Sequence, residues 1–180
     1  MTLVKDPLLA FARIVLVFFI AVLGFATAAV ALAAPIVLVF QDRIVAAFTA
    51  EGVTGAARIF PALPIVMLAV AALLALGVYF LVLLRRIVNS VGEGDPFVPV
   101  NASRLSRMGW AVLAGQVLSI PVGRAVLWIA MIVADEKDHV HVGDDFGFTS
   151  SSLLLMLVLF ILARVFRRGA AMREELEGTV

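Results

Sequence analysis

Two groups of residues carry the chemistry this chain offers. The first is the run DEKDHVHVGDDFGFTSSS, in which His139 and His141 alternate and therefore project to one face of an extended segment. Asp138, Asp144 and Asp145 add oxygen donors, so a divalent cation site built on His139, His141, Asp144 and Asp145 is chemically available. The spacing matches no closed zinc pattern and the run holds no third histidine, so an acidic solvated loop is the favoured account and no metal is expected. Neither histidine has a nucleophile beside it, which leaves a catalytic triad without support.

The second is Arg124, alone in an otherwise apolar stretch and preceded by Ser119, Pro121 and Gly123. It lies about 24 Å along a helix from Met108, toward the outer part of a membrane. Pro121 frees the carbonyl of Val117, and a charge at this depth is costly, so Arg124 is expected to be buried, pointing into a helix bundle and pairing with a carbonyl, with Gln116 or with an outer acid. Snorkelling to the outer interface and an anion site are the two readings of it.

Other chemistries fail on residue types. The chain has no cysteine, which removes disulfides, thiolate metal sites and a cysteine nucleophile. Gly92-Glu93-Gly94 lacks the third glycine and the strand of a dinucleotide loop, and no Walker-type lysine is present. No paired carboxylates stand in an apolar span, so an enzyme is not expected, and neither is a cofactor. A formal net charge of +1 offers no general attraction to nucleic acid.

The elements that must position these residues are membrane helices. Of 180 residues, 63% are hydrophobic and only 15% charged, against about 25% charged in a soluble domain. Between Arg13 and Asp42 lie 28 uncharged residues and between Arg58 and Arg85 another 26, each longer than the roughly 20 needed to span a bilayer. Met108 to Ala134, interrupted by Arg124, and Phe146 to Ala163 are two more such stretches. The expectation is an all-α, integral membrane bundle of four transmembrane helices in a single domain, with spans at about 10–38, 60–84, 108–134 and 146–166. Pro7 after Asp6, and Pro61 with Pro64, mark two helix starts, and helix one is expected to end near Pro35. A competing reading makes Ala31-Leu32-Ala33 a signal cleavage site, although the apolar run is longer than a signal normally needs.

Lysine and arginine set the orientation. With both termini inside, ten of these residues are cytoplasmic and only Arg43, Arg58 and Lys137 are outside, which favours N-in and C-in. The inner loop is then 85–107, the outer loops 39–59 and 135–145, and 167–180 a cytoplasmic helical tail in which Arg173 and Glu177 are an i,i+4 pair. In the first outer loop Ile44, Val45 and Phe48 fit a helical turn on the membrane surface before Gly52 and Gly55 break it. In the inner loop Asn101 is a plausible cap for a short helix that carries Arg104 and Arg107 into the third span. Phe97, presented from a proline-bounded turn, marks a docking surface with Asp95, Arg104, Arg107 and Arg168; the alternative is a snorkelling basic loop.

The inner stretch GDPFVPVNASRLSRMGW and the tail ILARVFRRGAAMREELEGTV resemble the bacterial membrane family catalogued as domain of unknown function 2975. The resemblance implies a small four-helix inner-membrane protein, often encoded beside a small helix-turn-helix regulator, and it brings no catalytic residue. A non-enzymatic sensor or regulatory partner of a cytoplasmic protein is therefore favoured. The alternatives are a small channel or transporter, for which a homo-oligomer is needed, and an anion- or lipid-binding protein using Arg124 or the inner arginines.

Overall fold

A computed structural model describes residues 7–50, 56–92, 96–133 and 149–177, and every element among them is an α-helix. The order is α1 (Pro7–Ala50), α2 (Ala56–Ile59), α3 (Leu63–Gly92), α4 (Pro99–Val133) and α5 (Ser150–Glu177). All but α2 are long and apolar enough to cross a membrane. α1 contains the first apolar stretch read from the sequence, and α3 takes up the second from Leu63 after a turn at 60–62. α4 and α5 cover the described part of the other two apart from Thr149, and residues 134 and 146–148 lie outside the described residues.

Proline marks the starts as its chemistry requires. Pro7 opens α1 and Pro99 opens α4, positions where a missing N–H removes no helical hydrogen bond. The link from α2 to α3 is a tight turn closed by the Ala62 amide on the Ile59 carbonyl at 3.0 Å.

Four expectations about helix limits need correction. Helix one does not end near Pro35: α1 contains it and continues to Ala50, a length of about 66 Å at 1.5 Å per residue. Proline there removes one backbone bond, but helix-forming alanine and leucine precede it, and an open break inside hydrocarbon leaves more polar groups unpaired than a continuous helix does. Asp42, Arg43, Ile44, Val45 and Phe48 consequently continue α1 instead of forming a separate surface turn. The stretch read as the inner loop is mostly helical, since α3 carries Arg85 and Arg86 and α4 already includes Arg104 and Arg107. Asn101 is not a cap: Pro99 takes the first helical position, and Asn101 sits inside the first turn. Of the tail, residues 167–177 continue α5 without a break, as expected, and 178–180 lie outside the described residues.

The chain divides into two compact units, one of Met1–Leu23, Leu76–Ala114 and Ser150–Val180, the other of Gly24–Ala75 and Gly115–Thr149. The core of the first is Leu83 and Ile87 from α3, Leu105 and Met108 from α4, and Leu159 and Ala163 from α5, flanked by Phe80, Leu84, Val112 and Phe166. Small residues allow the close approach: Ala102, Ala111, Ala163 and Ala170 are buried, and a Cβ on Gly109 would meet the Phe160 ring at 3.0 Å. Trp110 meets the same ring edge-on at 5.7 Å. The second unit buries Ala34, Ile59, Ala71 and Val122, and Phe48 lies 5.5 Å from Phe60. Large apolar side chains such as Phe11, Phe25, Leu32, Ile65, Met131 and Leu154 are exposed on the long helices, surface that lipid tails cover in a membrane and water would not tolerate.

Candidate functional site

The best-built polar feature lies in the first unit, where the chain turns from α3 to α4. Asn101 has 0% of its surface exposed and is the buried polar side chain among the described residues. Its amide nitrogen donates to the Ser90 hydroxyl at 2.7 Å and to the Pro96 carbonyl at 2.9 Å, using both hydrogens. The Ser90 hydroxyl in turn donates to the Ile87 carbonyl at 2.8 Å. The Asn101 carbonyl accepts from Nη1 of Arg104 at 2.9 Å, and the same nitrogen reaches the Arg86 carbonyl at 3.2 Å. One buried amide thus ties the end of α3, the turn and the first turn of α4 together. A buried polar group is tolerated on this condition alone, that its hydrogen bonds are met.

Beside it, Phe97 leaves the turn and lies on α5. Its ring centroid is 5.3 Å from that of Phe166, and a Cβ on Gly169 would fall 2.8 Å from Phe97 Cδ1, so glycine is what lets the ring sit there. Phe97 still keeps 42% of its surface exposed. Arg107 on α4 and Arg168 on α5 are exposed, and Arg164, Arg167, Arg168 and Ser106 line a cleft of about 460 Å³ together with Phe160 and Ala163. A second cleft, of about 600 Å³, is lined by Arg86, Asn89, Ser90, Val98, Pro99, Val100 and Arg104.

The residues singled out from the sequence are therefore distributed unevenly. Phe97, Arg104, Arg107 and Arg168 share one unit, with Arg104 half-buried and tied down and the two other arginines free at the surface. Arg124 is exposed on α4 and not turned into the bundle, which leaves the snorkelling reading of it standing. The helix stays continuous through Pro121, and Gln116, offered as its partner, instead accepts the Thr149 amide at 3.4 Å while its carbonyl takes the Ser119 hydroxyl at 2.8 Å. Asp95 and the set His139, His141, Asp144 and Asp145 lie outside the described residues, and among those described no cluster of metal-ligating side chains occurs. Sequence reasoning missed Ser90 and the inward role of Asn101. The available signal was an asparagine three residues before an arginine, just after the proline-flanked segment Pro96–Pro99.

Four helices able to cross a bilayer, with arginines gathered where the apolar runs of α3 and α5 end, define an all-helical multi-pass membrane protein. The chain belongs to the family described as protein of unknown function (DUF2975), which matches residues 31–180. No curated protein and no solved structure matches it.

Proposed function

We propose that the chain is a non-enzymatic regulatory protein of the bacterial inner membrane that docks a cytoplasmic protein on the face formed by the α3–α4 turn and the last part of α5. The observation that carries this is the seating of Phe97 on Phe166 and Gly169, which joins the two stretches that resemble the family signature into one surface. A half-exposed phenylalanine beside free arginines suits a partner that offers an apolar side chain within an acidic segment. The orientation favoured by the arginine distribution turns that face toward the cytoplasm, and the resemblance makes a small helix-turn-helix regulator the first partner to test.

The test is retention of that regulator by the full chain extracted from its native membrane in mild detergent. Arg168→Glu reverses the charge at an exposed position and is expected to abolish retention, and Phe97→Ser is expected to weaken it strongly, while Arg43→Gln leaves it intact. Equal retention by all three variants overturns the reading.

A further inference from the structure

We propose that the cleft between Arg86 and Arg104 is a phosphate-binding site, and that its ligand is an anionic phosphate group carried by a phospholipid or free in solution. The inference shares the α3–α4 turn with the docking face but does not depend on docking; it rests on how Arg104 is held.

A guanidinium carries five N–H groups, two of them on Nη1. In Arg104 both Nη1 hydrogens are accounted for inside the protein, by Asn101 Oδ1 and the Arg86 carbonyl. What remains is the Nε–Nη2 edge, whose two parallel N–H groups match two oxygens of a phosphate side-on. No described residue accepts from that edge, and the fully buried Asn101 fixes the guanidinium in place before any ligand arrives. Preorganisation of this kind is what separates a site from a mobile surface arginine.

The surroundings agree in sign. Arg86 lines the same cleft, Asn89 adds an amide, and among the described residues no carboxylate lines it. Val100, in the first turn of α4, brings a backbone N–H that has no acceptor within its own helix. Two guanidinium groups on one cleft repel each other, and a bound phosphate relieves that repulsion. The volume of about 600 Å³ takes a phosphate with its substituent. Val98, Pro99 and Val100 give the same cleft an apolar wall, which a glycerophospholipid can cover while its phosphate meets the arginines.

The full chain in mild detergent is titrated with phosphatidylglycerol, phosphatidylcholine and inorganic phosphate, with binding read by native mass spectrometry and calorimetry. Phosphatidylglycerol is expected to bind roughly tenfold more tightly than phosphatidylcholine, and Arg86→Gln to remove that preference. Arg104→Lys keeps the charge but loses the two-pronged edge and is expected to weaken binding by a similar factor. Inorganic phosphate that binds with the same dependence on Arg86, without any lipid preference, supports the site and assigns it to a soluble phosphate. Arg85→Gln is the internal check, since Arg85 is exposed next door but does not line the cleft. Equal losses from Arg85→Gln and Arg86→Gln mean general attraction to a basic surface and overturn the proposal, as does the absence of both lipid preference and phosphate binding. Arg86 uses only its backbone carbonyl in the Asn101 cluster, so Arg86→Gln stays informative even where Arg104→Lys disturbs folding.

Discussion

At the scale of single residues the distinctive feature is one asparagine. Asn101 makes three hydrogen bonds from a position with no solvent, and each goes to a different part of the α3–α4 connection. Replacing it with leucine keeps much of the volume but leaves the Pro96 carbonyl, the Ser90 hydroxyl and Arg104 Nη1 each short of a partner. Loss of a buried partner costs about 1–3 kcal/mol for a group left fully stranded, but Ser90 and Arg104 keep the Ile87 and Arg86 carbonyls, so Asn101→Leu is expected to destabilise by about 2–4 kcal/mol. Ser103→Ala is the comparison, because Ser103 is exposed and bonds only the Val100 carbonyl of its own helix; its effect should stay within about 0.5 kcal/mol. Thermal unfolding in detergent reads both, and matching midpoints would show that the cluster adds nothing to stability.

At the scale of elements, glycine separates packing from propensity. Gly109→Ala presses a methyl group into the face of Phe160, and Gly169→Ala does the same to Phe97, whereas a Cβ on Gly24 or Gly115 meets nothing within 4 Å. The first pair is expected to lower stability by about 1–3 kcal/mol and the second to raise it by about 0.5–1 kcal/mol, since alanine restricts the unfolded chain and favours helix. A shared sign across the four substitutions would remove the packing argument. The helices themselves were legible in the sequence because Leu, Val, Ala and Ile fill long uncharged runs, a signal that depends on composition alone. Their limits were not. Pro35 and Pro121 read as interruptions, yet both stand within continuous helix, because the cost of leaving the backbone open in hydrocarbon outweighs the single bond each removes. The candidate site was legible in part: Phe97 and the arginines stood out by type, whereas the inward turn of Asn101 and the pairing of Arg86 with Arg104 in one cleft depend on where α3 and α4 meet, which no local pattern encodes.

At the scale of the whole molecule, the number of crossings and the direction of insertion are separate quantities. Three helices able to span a bilayer, α3, α4 and α5, lie between Arg43 and the end of α5, so a label at position 43 and one at position 174 must fall on opposite sides whichever way the protein inserts. The direction we propose rests on charge, with ten lysines and arginines assigned to one side and three to the other. The chain holds no cysteine, and Arg43 and Glu174 are both exposed, so single cysteines at these positions report without background. In intact cells a membrane-impermeant maleimide is expected to modify Arg43→Cys, and to reach Glu174→Cys only after the membrane is opened. Modification of both positions from one side would reduce the crossings between them to an even number. Modification of Glu174→Cys alone would keep three crossings and reverse the direction, placing Phe97, Arg107 and Arg168 outside the cell and withdrawing the cytoplasmic docking face while leaving the Arg86–Arg104 cleft chemically unchanged.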